Sequence, residues 1–470
     1  MKLMWFRRDL RTDDNPALYQ ASLEQQGVIA LHITTPITWQ RHHMSAVQQD
    51  WINLNLDALD PALAALNIPL IRAQTDDFSS SHEVILDLIK QHKITEVYFN
   101  LEYEWDEQER DDLVIQKLKA VNIPVYTHHD QCIIPPDHIQ NQQKQPYKVF
   151  TPYKKACLAY IQSNPSIINI TKTPRRQPKI ILSSSNLCTY KQSHTQDIDW
   201  LKPGSHAGLN KAQLFINNKI QDYDQARDIP SIYGTSCISP HLALGIISVR
   251  QCIQILLNST PHHNLSQITE NNGAMTWLSE LIWRDFYKMI CFNFPQISRH
   301  QPFKAKTNRL EWSENQAHLS AWQQGQTGVP IVDAAMRQLN TYGWMHNRLR
   351  MVSAMYLTKN LWIDWREGEA YFASKLVDWD FASNNGGWQW SASTGTDAVP
   401  YFRVFNPVSQ SERFDPKGQF IKQYCPELKN LDHKQIHDPY SRTKNQLDYP
   451  KPLVDLKISR ANAIEQFKMM

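Results

Sequence analysis

Residues 28–34, VIALHIT, form a short apolar run of strand-forming residues, with similar runs on either side. The other runs are KLMWF (2–6), IPLIRAQ (68–74), EVYFNLEY (96–103) and IPVYTHH (123–129). The longer stretches between them carry helical periodicity, as in MSAVQQDWINLNLDALDPALAAL (44–66), SHEVILDLI (81–89) and EQERDDLVIQKLKAVN (107–122). Five strands alternating with four helices predict a parallel, doubly wound α/β sheet over residues 1–132. Neither GxGxxG nor the P-loop motif follows a strand, so no standard dinucleotide or P-loop site is predicted.

The remaining residues predict a linker and an all-α domain. With 470 residues, the chain exceeds one ordinary core, and two domains are expected. Residues 133–204 are rich in Pro, Gln, Ser and Lys, which predicts an interdomain linker with one helix near 152–162. Residues 205–470 form the predicted helical domain, and its last forty-odd residues look irregular. Its helical segments are GAMTWLSELIWRDFYKMICFNF (273–294), VPIVDAAMRQLN (329–340), NRLRMVSAMYLTKNLW (347–362) and REGEAYFASKL (366–376).

Composition narrows the class of protein. The chain is 41% hydrophobic and 20% charged, as in a soluble globular protein, and no apolar run approaches the roughly 18 residues of a membrane span. The N-terminus lacks the apolar region of a secretory signal. The cysteines are scattered singletons without metal-ligand spacing, which favours a reducing cytoplasm and no metal site. They are Cys132, Cys157, Cys188, Cys237, Cys252, Cys291 and Cys425.

Charge is distributed unevenly along the chain. Residues 1–132 contain 11 Lys and Arg against 20 Asp and Glu, a net charge of −9. The remaining residues contain 38 Lys and Arg against 26 Asp and Glu, a net charge of +12. An acidic domain joined to a basic one suggests that the basic domain faces a polyanion such as nucleic acid. The alternative is a solvated basic surface without a partner.

Several side chains in the helical domain are candidates for chemistry. Trp277, Glu280 and Arg284 share one helix face, where they could stack a planar ring and hydrogen-bond its edge, or form an ion pair beside core tryptophans. The arginines of GWMHNRLRM could hold a phosphate or carboxylate. YGTSCIS (233–239) suits a pyrophosphate or a helix N-cap, and LVDWDFASNNGG offers polar groups that also suit caps and turns.

Tryptophan usage favours a function that needs large aromatic surfaces. The chain has 15 tryptophans, and most lie in the basic helical half. In SNNGGWQWSASTGTD (383–397), interpreted as a turn of small polar residues, Trp388 and Trp390 lie two positions apart. Indoles stack on bases and are easily oxidised, so this set indicates base stacking, electron transfer or both.

The sequence resembles the DNA photolyase/cryptochrome family, and specifically the bacterial class I cyclobutane pyrimidine dimer photolyases, over nearly its whole length. The matching blocks are WFRRDLRTDDNPAL, YKVFTPY, LIWRDFY, GVPIVDAAMRQLN, GWMHNRLRM, DWREGE, NNGGWQWSASTGTDA and YFRVFNP. Several long blocks in one order are far more specific than a single short motif.

The resemblance implies an FAD bound in the helical domain and a carbon–carbon lyase activity driven by blue light. Excited reduced FAD gives an electron to a flipped-out pyrimidine dimer, which splits and returns it. The implied FAD-binding residues are Tyr223, Thr235, Ser236, Cys237, Ile238, Ser239, Trp277, Glu280, Arg284, Asn347, Arg350, Asp378, Asp380 and Asn384. Asp378 and Arg350 are expected to pair beside the ring, and Asn384 to lie near flavin N5. Cys237 replaces an Arg that is frequent in relatives, so a side-chain contact there would be lost.

The remaining implied roles concern DNA and electron transfer. Glu280 would hydrogen-bond the pyrimidine carbonyl, which requires a raised pKa or a neighbouring donor. Trp388, Trp365 and Trp312 would form a relay that reduces oxidised flavin. Trp283, Trp390 and Met351 would hold the flipped lesion. The implied DNA-contacting residues are Arg227, Trp283, Arg284, Asn347, Arg348, Met351, Trp390, Arg403 and Gln410. UV-damaged DNA is the expected partner, without a membrane or an obligate protein partner, and the protein is expected to be a monomer.

The resemblance also implies a second, light-harvesting pigment. The first choice for this pigment is 5,10-methenyltetrahydrofolate, and the alternatives are a deazaflavin or an empty site. The matching positions are His42, Asp106, Glu107 and Arg299, although relatives often have Asn and Lys where this chain has Asp106 and Arg299.

Three other functions compete. A cryptochrome would sense light without repair, but Asn384, Trp283 and Met351 and the lack of a long tail favour repair. A (6-4) photolyase needs a histidine where this chain has Asn347, and the adjacent His346 should point elsewhere. An electron-transferring flavoprotein would not need the basic half.

Overall fold

A computed structural model describes residues 1–180, 198–259, 268, 272–444 and 446–470. Cys188 and the linker segment 181–197 lie outside these described residues. The strands are β1 Lys2–Phe6, β2 Val28–Thr34, β3 Leu70–Gln74, β4 Glu96–Asn100 and β5 Val125–His128. The helices of the first half are α1 Pro16–Ser22, α2 Pro36–Arg41, α3 Ala46–Ala65, α4 Ser81–His92, α5 Trp105–Ala120 and α6 Phe150–Ser163.

The second half is helical in the residues that the structure describes. Its first helices are α7 Ser205–Lys219, α8 Tyr223–Ala226, α9 Ser239–Ala243, α10 Val249–Asn258, α11 Asn272–Asn293, α12 Gln316–Gln324 and α13 Pro330–Tyr342. They are followed by α14 Asn347–Met355, α15 Trp365–Ala373, α16 Phe381–Ala392, α17 Pro407–Phe414, α18 Gln419–Tyr424, α19 Pro439–Arg442 and α20 Leu456–Lys468. A π-helical turn, Tyr356–Asn360, extends α14.

The sheet is fully parallel, with strand order β3-β2-β1-β4-β5, which confirms the predicted doubly wound sheet. β1 lies at the centre, and all five of its residues are buried. Because side chains alternate along a strand, Met4 and Phe6 pack into one core cluster while Leu3 and Trp5 pack into another. Both faces of the sheet are therefore covered. One short helix was not predicted: α2 begins with Pro36 in its first turn, between β2 and α3.

Two interpretations of the C-terminal half were wrong. Residues 383–392 lie inside α16 rather than in a turn, with Asp380 as the N-cap of this helix. Glycine is tolerated there because a Cβ on Gly386 would lie 2.2 Å from the Tyr287 ring, so the absence of a side chain permits close helix packing. The last forty-odd residues are also not wholly irregular, since α20 is capped by Asp455.

A buried ionic network joins the sheet to the helical half. Arg250 of α10 lies 3.0 Å from Asp14 and 2.7 Å from Asp130, and Arg11 lies 2.5 Å from Asp130. Asp14 and Asp130 are buried. The boundaries of the three predicted segments, 1–132, 133–204 and 205–470, stay a prediction, whereas this network fixes how the two halves meet in the structure.

Candidate functional site

A cavity of about 570 Å³ opens between α14, α15 and α16. We call it the helical cavity. It gathers seven of the side chains singled out from the sequence, namely Asn347, Arg350, Met351, Asp378, Asp380, Asn384 and Trp388. The loop that joins α15 to α16 supplies the two aspartates, and the helices supply the other five. The cavity therefore brings together residues that lie up to about forty positions apart in the chain.

One wall of the helical cavity is an ion pair. Arg350 donates to both carboxylate oxygens of Asp378, at 3.0 and 2.8 Å, so the pairing expected from the sequence is present. Ser239 donates to Asp378 at 2.6 Å, and Trp344 donates to Ser239 at 3.3 Å. One guanidinium nitrogen, Nη2, makes both contacts, while Nε of Arg350 donates to the backbone carbonyl of Met345 at 2.8 Å, so Arg350 is held from two sides.

Asp380 forms a second wall and is held ionised. It accepts a hydrogen bond from the Ser383 amide as the N-cap of α16, and Lys288 lies 2.6 Å from its Oδ2 atom. Burial alone would raise the pKa of Asp380, but Lys288 and Arg284 hold that pKa well below its ordinary value. A fixed negative charge therefore faces the helical cavity.

Asn384 presents its amide oxygen to the helical cavity. Its Nδ2 atom donates to the backbone carbonyl of Glu369 at 3.1 Å, so the amide group is oriented by α15. An amide oxygen in this position can accept from a protonated ring nitrogen. The Glu369 side chain accepts from Asn385 at 2.9 Å, and burial raises the pKa of Glu369 to about 7.

Glu280 lies on α11 and is paired. Arg227 donates to Oε1 of Glu280 at 2.6 Å. Burial raises the pKa of Glu280, and Arg227 only partly offsets this rise. The position is therefore a carboxylate that can take a proton when Arg227 moves away. On the same helix, Trp277 donates to Ser236 at 3.3 Å, and Arg284 donates to the backbone carbonyls of Leu242 and Gln131.

The predicted pyrophosphate loop is compact. Thr235 and Cys237 approach at 3.3 Å through Oγ1 and Sγ, and Cys237 adopts a left-handed backbone with φ of 48°. Tyr223 is buried, in edge-to-face contact with Phe215. None of Tyr223, Thr235–Ile238, Trp277, Glu280 or Arg284 is among the described residues that line the helical cavity itself.

The tryptophans divide between two faces of α16. Trp388 is buried in a core cluster that also contains Trp365, and half-buried Trp312 packs against this cluster. A Cβ on Gly368 would lie 2.0 Å from the Trp388 ring, so glycine lets α15 approach the indole. Residues two positions apart lie on nearly opposite sides of a helix, and Trp390 accordingly faces Phe405, with ring centroids 6.4 Å apart.

The residues expected at the lesion and at DNA vary in exposure. Trp283 is half-buried and stacks on Phe150 at 3.6 Å between centroids. Arg348 pairs with Asp228 at 2.8 Å, Arg403 is exposed and Gln410 is half-buried. His346 is buried and accepts from the Arg348 amide as the N-cap of α14, and burial lowers the pKa of His346 to about 4. It is thus neutral and turned into the helix end.

A second cavity, of about 630 Å³, lies between the sheet half and the helical half, and we call it the interdomain cavity. Its lining includes three of the expected antenna residues, His42, Asp106 and Glu107. The fourth, Arg299, is not in the described lining, but its guanidinium lies 5.3 Å from the centre of the Trp105 ring, which does line the cavity.

Charges are paired at the mouth of the interdomain cavity. Nε2 of His42 lies 2.9 Å from Asp106, and Nδ1 lies 4.0 Å from Glu107. Burial alone would lower the pKa of His42, but Asp106 and Glu107 raise it. Burial raises the pKa of Glu107. This end of the cavity can both donate and accept hydrogen bonds.

Two residues of the sites escaped the sequence reasoning, since Lys288 joins Asp380 to Glu104 and Glu369 orients Asn384. Trp379, which lines both cavities, belongs to the tryptophan set that favoured stacking or electron transfer, but it was given no site role. Lys288 follows Arg284 by four positions on α11, so the helical periodicity that linked Glu280 to Arg284 could have found it.

The helical cavity fits a planar cofactor. Trp388 and Trp379 supply aromatic surface to its lining, and the buried Nε1 atom of each has no hydrogen-bond partner among the described residues. Asp378, Asp380 and Arg350 supply charged groups to the same lining. An α/β sheet joined to helices with such a cavity defines a two-part protein that holds a planar, polar-edged cofactor in its helical half.

Comparison with known proteins identifies the family. Residues 2–176 match the family model described as DNA photolyase, and residues 277–469 match the FAD binding domain of DNA photolyase. The deoxyribodipyrimidine photo-lyase of Escherichia coli is 42% identical over 471 residues, which cover 99% of this chain and 98% of the relative. The chain belongs to the DNA photolyase family, and its helical half is an FAD-binding domain.

Two solved structures share the fold. A class III photolyase from Agrobacterium tumefaciens superposes with a TM-score of 0.86 at 32% identity, covering 100% of this chain and 97% of that one. A cryptochrome from Synechocystis superposes with a TM-score of 0.85 at 26% identity, covering 99% and 98%. Because repair enzymes and light receptors share this architecture, the fold does not separate the two activities.

Proposed function

We propose that the protein repairs cyclobutane pyrimidine dimers in DNA, using blue light and reduced FAD. The observation that carries the proposal is the helical cavity, which gathers Asn384, Asp380 and the Arg350–Asp378 pair in the FAD-binding half. Similarity over the full length to a deoxyribodipyrimidine photo-lyase supports it. When bound and fully reduced, FAD supplies an electron to the dimer and takes it back after the ring opens.

The proposed FAD contacts come from three parts of the helical half. In this proposal the loop of Tyr223 and Thr235–Ser239 would hold the phosphates and ribose, and the helical cavity would hold the ring. Trp277, which donates to Ser236 of that loop, would border the mouth together with Glu280 and Arg284. Ionised Asp380 accepts hydrogen bonds from ring N–H groups, and the oxygen of Asn384 accepts from a protonated ring nitrogen. The Asn384 contact favours the reduced form that repair requires, because that ring nitrogen carries a proton only when the flavin is reduced.

Glu280 stabilises the dimer while it carries the extra electron. Because burial raises the pKa of Glu280, the carboxyl takes a proton once Arg227 turns to a DNA phosphate. The protonated acid then donates to the pyrimidine carbonyl on which charge develops. Arg227 thus has two partners, the glutamate in free protein and DNA in the complex.

The lesion leaves the duplex and enters a pocket beside α11, α14 and α16. Enzymes that act on extruded bases, photolyases among them, meet an unstacking cost of a few kcal/mol, which is smaller for a damaged base. In this proposal Trp283 and Trp390 supply aromatic surfaces, and Met351, which lines the helical cavity, supplies an apolar contact. The proposed backbone contacts are Arg227, Arg284, Asn347, Arg348, Arg403 and Gln410.

Trp388, Trp365 and Trp312 form the proposed route by which light reduces an oxidised flavin. Trp388 lines the helical cavity, Trp365 lies in the same cluster, and Trp312 is half-buried and contacts Trp362 at 4.8 Å between ring centroids. The route thus runs from the cavity towards solvent.

The interdomain cavity is the proposed antenna site, with 5,10-methenyltetrahydrofolate as the first candidate and a deazaflavin as the second. His42, Asp106 and Glu107 would contact the pigment directly, and Arg299 through its position over Trp105. We further propose that the protein acts as a monomer in the cytoplasm, since repair needs only DNA and light and the described cysteines are unpaired.

Irradiation of dimer-containing DNA with the reduced protein tests the proposal. We expect the dimers to disappear in blue light and to persist in the dark. We expect (6-4) photoproducts to persist both in blue light and in the dark. Buried, neutral His346 supports the last expectation because it does not line the helical cavity among the described residues. Illuminated FAD-loaded protein that leaves dimers intact would favour a light receptor instead.

A further inference from the structure

The helical cavity and the interdomain cavity share one lining residue. Trp379 lines both cavities. Its neighbours diverge: Asp378 and Asp380 line the helical cavity, and Phe381 lines the interdomain cavity. Trp379 is only 4% exposed, so its surface meets the two cavities and the core rather than solvent.

The sheet half fixes Trp379 in place. Gln48 of α3 donates to the Trp379 carbonyl at 2.7 Å. The Arg8 guanidinium lies 5.3 Å from the centre of the Trp379 ring. Arg8 itself lies 3.7 Å from Glu104 and 3.8 Å from Glu107, and both glutamates line the interdomain cavity. The indole is therefore held by the elements that build the interdomain cavity, although it belongs to the FAD-binding half.

Trp379 also has an unused hydrogen-bond donor. Its Nε1 atom is buried and has no partner among the residues that the structure describes. A buried indole N–H normally finds an acceptor, so this donor is available to a ligand that contacts the indole.

The lining of the interdomain cavity defines what kind of ligand fits. Trp379, Phe381 and Ala373 supply apolar surface, and the buried carboxyl groups of Glu369 and Glu107 supply acceptors. Glu369 uses one oxygen to accept from Asn385. A planar heterocycle that carries N–H groups matches this combination, because its face can pack on the indole while its edge donates to the carboxyl groups.

We propose that Trp379 is a binding residue for both cofactors at once, contacting a planar N–H-bearing heterocycle in the interdomain cavity and FAD in the helical cavity. This inference rests on the proposed antenna site and adds Trp379 to it. Because one side chain contacts both occupants, each occupant restricts the indole for the other. By thermodynamic linkage, the antenna ligand should then raise the affinity for FAD. We expect this gain as slower FAD release, because affinity differences between related complexes fall mostly on dissociation.

The test uses FAD-loaded protein and 5,10-methenyltetrahydrofolate as the probe. Folate affinity is measured by fluorescence titration, and FAD release is measured after dilution, with and without folate. Trp379→Ala removes the shared indole, so we expect folate affinity to fall about tenfold and FAD release to accelerate about tenfold. Trp379→Phe keeps a ring but lacks Nε1, and we expect about three- to fivefold effects on both. If the Trp379→Ala variant does not fold, the Trp379→Phe variant decides the test.

Trp5→Phe is the matched control. Trp5 is also buried, also has an unpartnered Nε1, and also has an arginine guanidinium over its ring, yet it lines neither cavity. We expect its folate affinity and FAD release to stay within about twofold of the parent protein.

Two outcomes overturn the inference. If Trp379 variants change only folate affinity or only FAD release, the indole serves one site and not both. If the parent protein binds neither the folate nor 8-hydroxy-5-deazaflavin, the interdomain contact does not exist. Dimer repair is assayed without an antenna pigment, so failure of this inference and failure of the repair proposal are distinguishable.

Discussion

The ammonium nitrogen of Lys288 lies 2.6 Å from Oδ2 of Asp380, and both side chains are buried. The same nitrogen lies 2.8 Å from Glu104, which follows β4 in the sheet half. One lysine therefore neutralises carboxylates from both halves, one at each cavity. Burial alone would lower the pKa of Lys288, but the two carboxylates raise it above its ordinary value.

Replacing Lys288 by methionine should strongly destabilise the protein. Breaking a buried pair from one side leaves uncompensated charge and costs about 3–5 kcal/mol. Urea unfolding of FAD-loaded Lys288→Met and parent protein measures the loss. Lys288→Arg retains the charge and should lose less. If Lys288→Met is as stable as the parent protein, water or another cation neutralises the carboxylate charges of Asp380 and Glu104.

Local patterns predicted the sheet and eight of the described helices, because strand and helix periodicity follow from which side chains face a core. Residues 383–392 were misread because glycine and serine are poor helix formers, and only tertiary contacts explain their helix. Gly386 lies against Tyr287, about a hundred positions earlier in the chain. The Arg350–Asp378 pair followed from resemblance. Lys288, and the place of Trp379 between the cavities, were missed because their partners, Glu104 and Gln48, lie in the other half of the chain.

Glu369 should make stability depend on pH. Its pKa is raised from 4.5 to about 7 by burial, so the folded state binds the proton more tightly than the unfolded chain does. The stabilisation is complete below pH 4.5 and is lost as pH rises through about 7, a change of about 3 kcal/mol. Urea unfolding from pH 4.5 to 8 measures it. Glu369→Gln stays neutral, so the free energy of unfolding of this variant should depend less on pH over this range. If the variant and the parent protein show the same pH dependence, Glu369 is already ionised in the folded protein.

Glu280→Ala should lower the repair yield per photon and leave dimer binding within about twofold. Removing a hydrogen bond to a developing charge costs about 1.5 kcal/mol, which slows dimer splitting roughly tenfold relative to the competing return of the electron. Repair quantum yield and filter binding measure the two effects separately. Glu280→Gln retains an N–H donor and should keep most of the yield at all pH values. The parent yield should fall as pH rises above the raised pKa of Glu280. Equal yields for alanine variant and parent would remove Glu280 from the mechanism.

Trp312→Phe should abolish light-driven reduction of the oxidised flavin but spare repair. Phenylalanine is far harder to oxidise than tryptophan, so an electron vacancy that reaches Trp365 could not continue to the half-buried position at 312 and would return to the flavin. Transient absorption under blue light measures the lasting reduction, and repair is measured after chemical reduction of the flavin. The matched control is Trp322→Phe, a buried indole in edge-to-face contact with Trp388, at 5.9 Å, that lies off the proposed route. Loss of reduction in the control with retention in Trp312→Phe would redirect the route through Trp322, because both indoles belong to or pack against the same core cluster as Trp388.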